Sequence, residues 1–153
     1  MTVLRGYSIL AAVAALGASI LLAGVTPSEA KPNKPERSRF RCQAETETVQ
    51  LNTRYESLTK RGQTRASFRA QFEGSGDDLV SGAQLTVLID SVSVGTITLV
   101  EEVPDVAEGQ LRFDSKARGK KVLPFPGNFP VLEAGSLVEL QLDGATVVGC
   151  ELH

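Results

Sequence analysis

The chain is 153 residues long, carries a formal net charge of −2 and holds 5% aromatic residues with no tryptophan. An acidic total with so few aromatic side chains argues against nucleic-acid binding, and the length bounds the protein to one ordinary domain. One histidine, His153 at the last position, and two cysteines leave little material for a metal or redox centre, and no cofactor motif is present.

The first element is a leader. Arg5 is followed by an apolar run from Ile9 to Val25 and by Pro27-Ser28-Glu29-Ala30, which is the pattern of a secretory signal peptide cleaved after Ala30. The run approaches the roughly 18 residues at which a membrane span becomes feasible, so an uncleaved anchor is the competing reading. Gly17, Gly24, Pro27 and the small residues at the cleavage site favour removal. Val25 stands where a lipoprotein would need its cysteine, and Arg5 is the only basic residue before Lys31, which excludes a twin-arginine signal. The expectation is that residues 1–30 are removed and that the remainder is secreted or periplasmic, without stable membrane insertion.

Residues 31–41 are basic and contain Pro32 and Pro35, which reads as a flexible lead-in to a single domain over residues 42–153. Cys42 and Cys150 bracket that domain. In an oxidising compartment a lone pair predicts one disulfide, and closing so long a loop is worth roughly 4 to 5 kcal/mol by chain entropy. The alternative, a redox or metal-binding pair, has no CxxC and no second histidine to support it.

The predicted strands follow in order. A first runs from about Glu47 to Ser57 with Val49, Leu51 and Tyr55 inward. Arg65 to Glu73 alternates without a break, Ala66, Phe68, Ala70 and Phe72 against polar neighbours, as a half-buried strand does. Leu85 to Asp90 and Val94 to Val100 flank a short polar link and read as a hairpin rich in β-branched residues. Gln110 to Asp114 is a short strand, and Leu137 to Leu142 and Ala145 to Leu152 flank Asp143-Gly144, a tight-turn dipeptide. These seven strands and one disulfide predict an all-β fold, an antiparallel immunoglobulin-like sandwich. The missing tryptophan, and a disulfide between an end segment and the last strand, depart from true immunoglobulin domains.

The run from Arg65 to Glu73, then Leu85 to Leu99, then Glu108 to Ser115, then Pro-Phe-Pro-Gly-Asn-Phe-Pro and Ala-Gly-Ser resembles small exported bacterial proteins of unassigned function. The resemblance covers Arg65 to Leu152, implies the sandwich and a bacterial origin, and carries no functional residue across.

Charge is blocked along the chain. Lys31 to Arg69 is basic, Ala70 to Leu111 holds acids and no base, Arg112 to Lys121 is basic again, and the remainder is acidic. Such blocks make opposed surface patches that steer a charged partner or a second copy, unless the fold interleaves them and averages the field. Val122 to Pro130 is the most unusual surface candidate: three prolines stiffen it around Phe125 and Phe129, with Lys120 and Lys121 before it. The two rings serve either as exposed anchors of a partner-binding loop or as a plug over one end of the sandwich.

Catalytic patterns are thin. With His153 as the only histidine, no Ser-His or Cys-His pair has an internal base, and no GxSxG, Walker loop or HExxH occurs. Paired carboxylates of a carbohydrate-active hydrolase remain open, with Asp77, Asp78, Asp90, Glu101, Glu102, Asp105 and Glu108 as the candidates. The loops Gly74 to Asp78 and Glu101 to Asp105 are acidic enough to weigh for calcium but match no defined ligand spacing. The reading is a non-catalytic exported module that binds an envelope or extracellular protein or glycan, with a small hydrolase as the alternative.

Overall fold

A computed structural model describes residues 34–153. The predicted leader and its cleavage site lie outside the described residues. Among the described residues there are nine strands, all but β6 showing alternation of buried and more exposed side chains: Glu36–Glu45 (β1), Val49–Lys60 (β2), Gln63–Gly74 (β3), Gln84–Ile89 (β4), Val92–Thr98 (β5), Val100–Val103 (β6), Val106–Asp114 (β7), Leu137–Leu142 (β8) and Ala145–Glu151 (β9). They pair antiparallel in two sheets, one of five strands in the order β1-β2-β3-β7-β6 and one of four in the order β5-β4-β8-β9. Neither sheet is a plain meander. The chain crosses between sheets after β3, after β5 and after β7, so that β7 returns to pair with β3 and β8 with β4.

The inner faces meet in one core. Phe68, Ala70 and Phe72 of β3, Leu111 and Phe113 of β7, Leu85, Val87 and Ile89 of β4, and Val138 and Leu140 of β8 are all buried. Burying side chains of this size stabilises by about 1.5–3 kcal/mol each. Two glycines leave room for the facing sheet: a Cβ on Gly95 of β5 would lie 3.0 Å from Leu111 Cδ2, and one on Gly109 of β7 would lie 2.9 Å from the Thr98 carbonyl oxygen. Leu99, buried between β5 and β6, marks the point where one extended stretch leaves the four-stranded sheet for the other.

Of four two-residue hairpins, β2–β3, β4–β5, β6–β7 and β8–β9, three share one turn geometry. Arg61 and Gly62, Asp90 and Ser91, and Asp143 and Gly144 all have positive φ, the type I′ geometry whose twist matches that of the flanking strands. The hairpins β4–β5 and β8–β9 are the two expected, the second with its turn at Asp143-Gly144. Asp90 further accepts a hydrogen bond from the Leu137 amide at 2.8 Å, tying the β4–β5 turn to β8.

The predicted disulfide is present. Cys42 on β1 and Cys150 on β9 are bonded across 108 positions, with their Cα atoms 5.8 Å apart. It joins the edge strands of the two sheets. The corner is closed further by two backbone hydrogen bonds of 3.0 Å exchanged between Arg41 and His153, so the last residue is paired in its backbone and not frayed.

Two expectations are corrected. Over Glu36 to Arg41 the stretch expected as a flexible lead-in is strand: β1 pairs with β2 in unbroken register from Glu36↔Thr59 to Glu45↔Gln50, because Phe40, Cys42 and Ala44 supply an inward face between outward arginines. The domain therefore begins at β1 and not at Cys42. The count of seven strands becomes nine, with β6 the other addition; its four residues are all exposed and show no alternation.

Candidate functional site

Strand register assembles what no single segment contains. On the outer face of the five-stranded sheet, Arg41 stands opposite Arg54, Arg54 opposite Arg69, and Arg69 opposite Arg112. Residues directly opposite in an antiparallel pair share a face, so β1, β2, β3 and β7 present a row of four arginines running across the strands. All four are exposed. At about 4.8 Å between strands the row spans about 14 Å.

The next row along the same face consists entirely of amides: Gln43 opposite Asn52, Asn52 opposite Gln71, and Gln71 opposite Gln110. The row after that is largely acidic, with Glu45, Gln50, Glu73 and Glu108 in register. Two residues along a strand separate successive rows, roughly 7 Å. The face thus grades from guanidinium through carboxamide to carboxylate.

Internal pairing compensates little of the positive charge. Glu56 is the main counter-ion: its Oε1 accepts from Arg54 at 2.6 Å and from Arg39 at 2.7 Å, with Arg37 at 3.6 Å. The hydrogen bond from Arg54 and the surrounding guanidinium charges hold the Glu56 carboxyl below the usual glutamate value, against partial desolvation. Arg65 lies 3.5 Å from Asp114. Arg69 donates to the neutral Gln110 Oε1 at 3.2 Å, linking the first row to the second. Arg41 and Arg112 have no ion pair among the described residues.

A shallow cavity of about 430 Å³ runs between the first two rows, lined by Arg41, Gln43, Asn52, Arg54, Arg69 and Gln71. A second, of about 540 Å³, continues from Asn52, Arg69 and Gln71 toward Glu73, Glu102 and Glu108. There the negative charge of Glu102 raises the Glu108 carboxyl above the ordinary glutamate value, helped by desolvation, a hydrogen bond with Glu102 and the charge of Glu73.

The residues singled out from sequence are dispersed. Phe125 and Phe129 are half buried in an aromatic cluster: Phe129 meets Phe68 edge-on at 5.4 Å, Phe125 packs on Phe113 at 5.7 Å, and the two rings meet at 4.7 Å. The loop is held by hydrogen bonds from Asp114 N to the Leu123 carbonyl and from Asn128 to the Ser93 carbonyl, both 3.0 Å. These contacts pack both rings against the core, the arrangement a plug requires, while each stays partly exposed. Lys120 and Lys121 are exposed beside that loop, and Lys121 lines the larger cavity near Glu102 and Glu108. Of the seven candidate acids, Glu102 and Glu108 come together on this face, and Asp77, Glu101 and Asp105 line a separate cavity of about 410 Å³. Asp90 and Glu101 are engaged by backbone amides, and Asp77, Asp78 and Asp105 sit in loops or turns. Among the described residues no three His, Cys, Asp or Glu side chains converge to hold a metal ion.

The arginine row escaped sequence reading because register between strands is not written in any one strand. Its trace is the recurrence of arginine at even spacings, two apart at Arg37, Arg39 and Arg41 and four apart at Arg65 and Arg69. Comparison with family models, with curated proteins and with solved structures returns no match.

Proposed function

We propose that the chain is an exported, non-catalytic binding module of the periplasm or cell exterior, built on an immunoglobulin-like sandwich, and that the outer face of the five-stranded sheet is its ligand surface. The fold reading is supported by strand order. With β2 to β9 read as strands A, B, C, C′, D, E, F and G, the sheets become A-B-E-D and C′-C-F-G, the pairing of that architecture, and β1 is an added edge strand. Export is supported by the leader and by a disulfide, which persists in oxidising compartments.

One observation carries the ligand surface: four arginines aligned in register on an exposed face. Like charges directly opposite across a sheet are destabilising. A fold that keeps four in a row, three of them without an ion pair among the described residues, spends stability where a bound anion would return it. The partner is therefore anionic, an envelope or extracellular component.

The test is co-sedimentation of the host-processed protein with the insoluble envelope fraction of its host. The protein is expected to pellet, to be released by high salt, and to stay in the supernatant when it carries Arg54→Gln and Arg112→Gln with an unchanged melting temperature. Equal pelleting of both proteins, or of neither, would refute the reading.

The hydrolase alternative rests on the Glu102–Glu108 pair and its neighbouring amides. Both carboxylates lie exposed on an open face, without the enclosing cleft that buries a substrate against an acid and base pair. Release of reducing ends from an acidic polysaccharide, abolished by Glu108→Gln, would establish it in place of the binding reading.

A further inference from the structure

The composition of the first two rows narrows the anion. On this face β1, β2, β3 and β7 carry Arg37, Arg39, Arg41, Arg54, Arg65, Arg69 and Arg112, against one lysine, Lys60, at the hairpin end of β2. A face built only for net charge has no reason to avoid lysine. The guanidinium differs in presenting a planar fork that holds a carboxylate or other oxyanion with two parallel hydrogen bonds. Behind the arginines stand four carboxamides, groups that both donate and accept, as hydroxyls require.

Other anions fit less well. No aromatic side chain projects from these four strands onto the outer face: Phe40 and Tyr55 stack on each other at the inner side, and Phe68 and Phe113 lie in the core. Bases of a single-stranded nucleic acid would therefore have nothing to stack on. A membrane surface needs apolar side chains that enter the interface, and Leu58 is the only exposed large apolar side chain among the outward residues of β1, β2, β3 and β7.

We infer that this face holds a linear, carboxylate-bearing polysaccharide laid across the strands, its carboxylates on the arginine row and its hydroxyls on the amide row. The inference rests on the reading of the face as the ligand surface and adds the ligand's chemistry. The arginine repeat of about 4.8 Å is close to the length of one extended pyranose unit, so consecutive sugars meet consecutive strands. The third row completes the arrangement. Glu45, Glu73 and Glu108 repel an anionic chain that drifts along the strands, which confines it to the guanidinium row and fixes its direction.

Calorimetry on the host-processed, disulfide-bonded protein tests this with polygalacturonate, alginate and hyaluronate, fully methyl-esterified polygalacturonate, inorganic polyphosphate and phosphatidylglycerol vesicles. At least one of the three carboxylated polymers is expected to bind, and methyl esterification of polygalacturonate to abolish whatever affinity it shows. The Arg54→Gln, Arg112→Gln protein is expected to lose at least tenfold. Arg54→Lys with Arg112→Lys, which keeps the charge and removes the forks, should lose severalfold, and Gln71→Ala with Gln110→Ala likewise while melting unchanged. Failure of all three polymers, or undiminished affinity of the lysine variant, overturns the inference. Stronger binding to polyphosphate or vesicles than to any carboxylated polymer also overturns it, yet leaves the binding-module reading standing, which falls only if envelope sedimentation ignores the arginines.

Discussion

Arg112 projects from β7 with no ion pair among the described residues, and directly opposite it on β3 stands Arg69. Replacing Arg112 by threonine removes the repulsion and adds a β-branched residue to the strand. The ligand-free protein should then become more stable by about 0.2–1 kcal/mol while its affinity for the anion falls. A melt that drops would show that Arg112 has a structural role instead. Glu56 works in the opposite sense. Its folded carboxyl binds the proton more weakly than the unfolded one, so its contribution is present above the ordinary glutamate range and is lost as pH falls through the lowered value. Glu56→Gln should therefore melt below the wild type at neutral pH, by the equivalent of about 1 kcal/mol or less for a surface pair, and the gap should close on acidification. Glu108, raised by its acidic neighbours, runs the other way: its contribution is present at low pH and is lost as pH rises. At Gly109 the constraint is space, since an added Cβ would meet Ile97 Cγ2 and the Thr98 carbonyl oxygen. Gly109→Ala is expected to cost about 1–3 kcal/mol in urea unfolding.

Elements differ in how openly the sequence announces them. β3 was legible because Phe68, Ala70 and Phe72 alternate with charged residues, and β8 and β9 because Asp143-Gly144 carries the backbone freedom of their turn. β1 was not, since outward arginines and nearby prolines resemble the composition of disordered chain, and only pairing with β2 shows that Phe40 and Ala44 are an inner face. β6 has no inner face to read. The proline-rich loop reads as stiff and aromatic from its composition, but whether its rings turn in or out depends on Phe113 and Phe68, which come from other strands. Phe129→Ala should accordingly cost about 3 kcal/mol of stability and leave ligand affinity unchanged; loss of affinity in a protein with an unaltered melt would support the anchor role instead. The corner where β1 meets β9 is stapled by Cys42–Cys150. Cys42→Ser should lower the melting temperature as far as chemical reduction of the wild type does.

Across the molecule, the charge blocks of the sequence become geography. The basic block supplies β1, β2 and most of β3, and Arg112 of the second basic block joins them through β7. Acids fall at the other end of the same face, where Glu73 closes β3 and Glu108 opens β7. The sequence left open whether folding would average these charges; antiparallel pairing instead aligns like with like. That alignment was invisible beforehand because it needs three registers at once, β1 on β2, β2 on β3 and β3 on β7, each set by a turn or by core packing remote from the arginines. The most direct measurement is an NMR titration of the labelled, host-processed protein with short polygalacturonate, alginate and hyaluronate fragments, following the backbone amides and the arginine Nε–Hε groups. For a fragment that binds, the shifts should fall on the outer face of β1, β2, β3 and β7, largest at Arg54, Arg69 and Arg112. Shifts confined to the Val122–Pro130 loop or to the four-stranded sheet, or none with any fragment, would contradict the assignment of that face.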